Sequence, residues 1–237
     1  MLIGIKNGIR INSIILIEEQ KKNIRETKII WPVCKEEVIL VDGSKVITQF
    51  RHKPNSDCKN SGETQEHIKM KVACYKILKE QSNVSFLDLE FKIDNQIADV
   101  YFKIGQNVCV IECQCSPISK EEIDSRTKGW EQKGCFVVWI YGKKFYKKTE
   151  DGLFKLRKAI RNKYFFYTEE DGLFFKVEIE QYSEERTNEY MGYDYTYYFK
   201  TIKKLIFNKI ENPTFCHTDY KGYKRVYLKW EKEQKRW

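Results

Sequence analysis

Two apolar runs joined by a turn constrain this chain more than any other stretch. They are Ile97-Ala98-Asp99-Val100-Tyr101-Phe102-Lys103 and Val108-Cys109-Val110-Ile111-Glu112-Cys113-Gln114-Cys115, with Gly105-Gln106-Asn107 between them. Both runs are rich in β-branched and aromatic residues, and the connection has the turn chemistry of a hairpin. Side chains alternate faces along a strand, so Asp99 shares a side with Ile97 and Tyr101, and Glu112 shares one with Gln114. Pairing through the turn therefore predicts that Asp99 and Glu112 converge. Two carboxylates held together repel each other and are costly to bury, so a fold keeps such a pair mainly where they share a proton or a divalent cation. Hard cations such as Mg²⁺ or Mn²⁺ suit oxygen donors of this type.

The flanking sequence supplies helices and a further strand. Ser61 to Leu78 reads as a helix, with Ser61 as candidate N-cap, acidic residues in the first turn, and Ile68, Val72, Tyr75 and Ile77 or Leu78 as its buried stripe. Glu63, His67 and Lys71 recur every four residues and line one edge of it. Asn83 to Phe91 alternates apolar and polar residues as a strand leading through Asp94-Asn95 to Asp99. Ser119-Lys120-Glu121-Glu122 forms a capping box for a helix reaching about Gln132, and Cys135-Phe136-Val137-Val138-Trp139-Ile140-Tyr141 is a continuous apolar run, the mark of a strand covered on both faces. Strand, helix and buried strand in this order predict a βαβ crossover and a mixed α/β core. Arg126 either holds a phosphate or pairs with Glu122, four residues before it.

At these residues the chain resembles the PD-(D/E)XK nucleases and, more narrowly, the CoiA-like competence proteins. In that group a Gly-Glu-Ser-x-x-x-His helix precedes an Ala-Asp-Val strand, and Glu-x-Gln-x-Ser-x-Ile-Ser follows. The matching residues here are Gly62-Glu63-Thr64 and His67, then Ala98-Asp99-Val100, then Glu112-Cys113-Gln114-Cys115-Ser116-Pro117-Ile118-Ser119. The resemblance covers about residues 30–142. It implies a restriction-endonuclease-like mixed sheet flanked by helices, and a metal-dependent deoxyribonuclease. Asp99, Glu112, Gln114, Glu63 and His67 would be its catalytic residues, with Mg²⁺ or Mn²⁺ held by Asp99, Glu112 and the carbonyl of Cys113. Gln114 stands where the common motif carries a Lys, so Lys71 or Lys103 is expected to supply the missing cation. Arg126, Ser116, Lys71 and Lys103 are the candidate nucleic-acid contacts.

Upstream, residues 1–60 read as a small β module. Ile11 to Ile17 is one expected strand, and Glu37 to Val41 turns at Asp42-Gly43 into Lys45 to Thr48 as a hairpin. CoiA-like proteins often carry Cys-Pro-x-Cys, His-Phe-x-His and a further Cys, which looks like a zinc module. Only Cys34, His52 and Cys58 remain at matching positions, with Trp31 and Gln49 where the other ligands would fall. Losing ligands weakens the case for structural Zn²⁺, and a module without metal is the preferred reading.

The net charge of +9 favours a polyanionic partner. The 41% hydrophobic content excludes a disordered chain, and no window is long and apolar enough for a signal peptide or a membrane span. A cytoplasmic protein with reduced cysteines is the expectation. Residues 61–145 form the expected nuclease-like core and residues 146–237 a basic, aromatic-rich region. There Lys143 to Lys163 and Lys221 to Trp237 concentrate positive charge, as a single-stranded nucleic-acid surface requires. Asp171-Gly172 signals a hairpin within it. Tyr193, Tyr195, Tyr197 and Tyr198 fit β packing better than base stacking, and Cys216-His217 is too isolated for a metal site. Three functions remain: a metal-dependent nuclease acting on DNA, a DNA-binding module with a decayed core, and a structural domain for a protein partner. The nuclease is preferred because acidic residues, strand context and following helix agree in order.

Overall fold

A computed structural model describes residues 1–58 and 62–148 and the strands 154–156, 165–168, 172–181, 194–201, 206–207 and 215–216. Lys221 to Trp237 and His217 lie outside the described residues. The N-terminal strands β1 (Ile3–Lys6), β2 (Ile9–Asn12), β3 (Ile29–Ile30), β4 (Glu37–Gly43) and β5 (Val46–His52) form a five-stranded antiparallel sheet in the order β2-β1-β3-β4-β5. Helix α1 (Glu18–Arg25) joins β2 to β3 and buries Ile24 with Ile29, Trp31, Val38 and Phe50. The strand expected over residues 11–17 ends at Asn12. The Asn12 side chain accepts a hydrogen bond from Ile14 N at 3.1 Å and turns the chain into a 3-10 turn over Ser13–Ile15.

Helix α2 (Gln65–Lys79) follows, capped by Thr64 rather than Ser61, with Thr64 Oγ1 accepting from His67 N at 3.2 Å. Its apolar stripe, Ile68, Val72 and Leu78 with Met70 and Cys74, is buried. Next come β6 (Val84–Ile93), β7 (Gln96–Ile104), β8 (Asn107–Gln114), α3 (Lys120–Glu131) and β9 (Cys135–Tyr141). The turn between β7 and β8 holds Gly105 at φ 57°, where a side chain would be strained. Ser119 caps α3 by accepting from Glu122 N at 3.1 Å.

The main sheet has seven strands. β10 (Tyr146–Lys148) pairs with β11 (Phe154–Leu156) apart from it, whereas β12 (Phe165–Thr168), β13 (Gly172–Gln181) and β14 (Asp194–Thr201) complete the order β14-β13-β12-β9-β8-β7-β6. β8, β9 and β12 run parallel to one another and the remaining pairs are antiparallel, a mixed α/β sheet of the restriction-endonuclease-like kind. Asp171-Gly172 leads into the β12–β13 hairpin, in which Thr168 faces Gly172. β15 (Ile206–Phe207) and β16 (Phe215–Cys216) form a separate pair.

The two helices of this core cover opposite faces of the sheet. α2 packs on Leu89, Val100, Phe102, Ile111 and Ile140. α3 places Ile123 and Trp130 against Ala98, Tyr101, Val110 and Trp139. Among the described residues no helix is long and apolar enough to cross a membrane.

Candidate active site

Leu89 and Val100 face α2, so strict alternation sends their neighbours Glu90 and Asp99 towards α3. Both side chains contact α2 instead. Between the paired positions Leu89–Val100 and Phe91–Ala98 the chain departs from the pleat, and Glu90 takes φ 49°, a left-handed conformation rare for a side-chain-bearing residue in a strand. Such a residue costs on the order of 1–3 kcal/mol and clusters where function needs it.

Glu63, His67 and Asp99 meet at this irregularity. Their ligand atoms, one per residue, all lie within 4.8 Å of one another. The imidazole sits between the carboxylates, with Nδ1 3.2 Å from Glu63 Oε1 and Nε2 3.2 Å from Asp99 Oδ2. Asp99 Oδ2 also accepts from Cys113 N at 2.8 Å. Burial works to lower the His67 pKa, but Asp99 and Glu63 outweigh it and raise it to about 10. Burial likewise opposes ionisation of Glu63 and Asp99, yet both carboxyls are held low, Glu63 chiefly by Lys71 and His67, and Asp99 chiefly by His67.

Lys71 lies beneath this group and is fully buried. Its Nζ donates to Glu63 Oε1 at 2.5 Å and to Glu90 Oε1 at 2.8 Å. Burial disfavours the ammonium, but Glu90, Glu63 and Asp99 overcome it and push the pKa above its ordinary value. Glu90 also accepts from Leu2 N at 2.6 Å, Ile3 N at 3.4 Å and Trp31 Nε1 at 3.3 Å, which ties the N-terminal sheet to the core. Sequence reading missed Glu90, since in an alternating strand it looks like a companion of Asp88. Only its acidic character opposite Asp99 hinted otherwise.

Glu112 lies near enough to Asp99 to feel its charge but is not among the residues whose ligand atoms gather within 4.8 Å. Strict alternation along β8 turns it to the α3 face, where Arg126 Nη2 donates to Oε2 and Trp130 Nε1 donates to Oε1 at 2.5 Å. Arg126 thus pairs with Glu112 rather than Glu122, and its guanidinium lies 5.0 Å from the Trp139 ring centroid. Burial, with Asp99 nearby, raises the Glu112 pKa to about 8 against the pull of Arg126 and Trp130. Cys113 is buried, and its backbone meets the site through the amide, which donates to Asp99. Gln114 Nε2 donates to Ser116 O at 2.7 Å, and Ser116 itself is exposed. Lys103 is exposed four residues along β7 from Asp99, about 13 Å at strand rise, too far along the strand to supply the missing cation.

Cys34, His52 and Cys58 form a second cluster, again with ligand atoms within 4.8 Å and with Cys34 Sγ 3.1 Å from His52 Nε2. Two thiols and an imidazole suit Zn²⁺, but a closed structural site takes four ligands. Trp31 packs edge-on against His52 at 5.4 Å between ring centroids, and Gln49 is buried.

The family model described as competence protein CoiA, nuclease-like domain, matches residues 63–218, well over half of the chain. The chain belongs to the CoiA nuclease-like family. The CoiA nuclease-like match begins at Glu63 and runs past β14, beyond residue 145, where composition alone had ended the core. The chain is also 28% identical over 140 residues to competence protein CoiA of Bacillus subtilis (strain 168), an alignment covering 58% of this chain and 38% of that protein. The aligned segment therefore spans well under half the length of the curated CoiA relative.

Proposed function

We propose that this chain is a divalent-cation-dependent DNA nuclease that acts in DNA processing during competence or recombination. One observation carries the reading: Glu63 and His67, four residues apart, and the distant Asp99 bring ligand atoms together within 4.8 Å in a nuclease-like domain. Two carboxylates and an imidazole fit Mn²⁺ and accommodate Mg²⁺. Such an ion, when bound, polarises a phosphodiester and lowers the pKa of its water.

The chain's own residues hold this site in shape. Lys71 orients Glu63 and keeps a permanent positive charge under the carboxylates, a role that Gln114 cannot fill. The Cys113 amide fixes the Asp99 carboxylate. Half-buried Arg126 offers a phosphate the guanidinium that now pairs with Glu112. Cleavage of labelled single-stranded, duplex and branched DNA in Mg²⁺, Mn²⁺ or EDTA tests the proposal. Products should appear with either ion and vanish with EDTA and in Asp99→Asn; products that persist in Asp99→Asn would sink it.

A second reading, a nucleic-acid-binding module with weak or lost catalysis, draws on a different observation. Both Glu112 oxygens are occupied by Arg126 and Trp130, and a neutral Gln114 stands in the usual lysine position. DNA binding by the wild type with no products in either metal would favour it.

A further inference from the structure

A groove of about 610 Å³ opens between the N-terminal sheet and the entrance to α2, and Glu63 lies at its edge. That volume falls within the roughly 300–1,000 Å³ typical of ligand sites. Strand register places Ile39 beside Arg51 and Val41 beside Gln49, so these four residues share one face of the β4–β5 hairpin. Ile39 and Val41 give this wall an apolar surface, and Ile39 is 41% exposed.

Two cations border the apolar wall. Arg51 is exposed and makes no ion pair among the described residues. Lys53 contacts Glu37 at 2.5 Å, but that pair is solvent-exposed and readily exchanged. Gln49 is 3% exposed, and its Nε2 has no hydrogen-bond partner. Exposed cations beside apolar surface at a groove edge give the phosphates of a single strand an electrostatic track and its bases an apolar wall to lie against.

We infer that this groove binds a single strand of DNA flanking the bond presented to the Glu63, His67 and Asp99 site. The inference rests on the nuclease reading for its direction, since Glu63 belongs to both groove and site. Its binding component stands independently of catalysis. The N-terminal sheet thereby becomes part of the substrate surface rather than an appendage.

The test is fluorescence anisotropy of a labelled oligothymidylate in EDTA across a salt series. It compares wild type, Arg51→Gln/Lys53→Gln, and Lys22→Gln on α1 as a control, with cleavage in Mn²⁺ measured in parallel. The double variant should bind about tenfold more weakly and flatten the slope of log K against log salt by roughly 1.4, about 0.7 per lost phosphate contact. Lys22→Gln should match wild type. An oligonucleotide carrying 5-iodouracil should crosslink within residues 37–56. Unchanged affinity and slope in the double variant, with crosslinks elsewhere, would overturn the groove while leaving the nuclease intact. Weakened binding without cleavage by any variant would support the groove and refute the nuclease, and no binding by the wild type would overturn the groove, with cleavage in Mn²⁺ deciding the nuclease on its own.

Discussion

His67 sits where a cation belongs. With both ring nitrogens against carboxylates, the imidazolium satisfies Glu63 and Asp99 when no metal does. Its pKa is raised from 6.5 to about 10, so its stabilising charge is fully present below about pH 6.5 and is lost as pH rises through about 10. In chelator-treated protein, the melting-temperature deficit of His67→Asn relative to wild type should be largest at pH 6 and shrink towards pH 10. A deficit that grows with pH would contradict this sign. Because a ligand imidazole must be neutral, metal affinity should strengthen by about tenfold per pH unit over the same window. Lys71 makes a different prediction. Removing this fully buried cation leaves the buried Glu90 without a counter-charge, while Glu63 keeps His67 and the Met1 ammonium, so Lys71→Met should destabilise the protein by about 3–5 kcal/mol in urea unfolding.

Local chemistry specified most elements. The β4–β5 hairpin, the turn at Gly105-Gln106, the cap at Ser119 and the apolar run of β9 were legible, because each depends on a few adjacent residues. The first hairpin nevertheless turns at Ser44-Lys45, and a register shift after Val41 keeps Asp42-Gly43 in β4. The start of α2 was displaced because both Ser61 and Thr64 are competent caps, and the Oγ1 of Thr64 takes the His67 amide. Thr64→Ala should therefore cost about 1 kcal/mol of stability, and Thr64→Ser should restore most of it in thermal melts. The facing of Asp99 and Glu112 was not legible. Period-two alternation placed them together, whereas opposite the positive φ of Glu90 Asp99 turns to α2 and Glu112 stays with α3. No sequence pattern distinguishes a glutamate that will adopt that conformation from one that will point to solvent.

At the scale of the whole molecule, Glu90 joins parts that sequence reading treated separately. Its carboxylate holds the first strand and Trp31 of the N-terminal sheet while pairing with the lysine under the candidate site. The family match and the mixed sheet both extend beyond the stretch that the motifs occupy, since β12 adds to β9 by long-range parallel pairing that has no local signature. The proposed cation site draws Glu63 from the turn before α2, His67 from α2 and Asp99 from β7. The most direct measurement is a Mn²⁺ titration followed by electron paramagnetic resonance, on wild type, His67→Asn, Asp99→Asn and Glu112→Gln. One ion should bind the wild type, with affinity at least about tenfold weaker in His67→Asn and Asp99→Asn and within about threefold of wild type in Glu112→Gln. Wild-type affinity in His67→Asn together with its loss in Glu112→Gln would contradict the account.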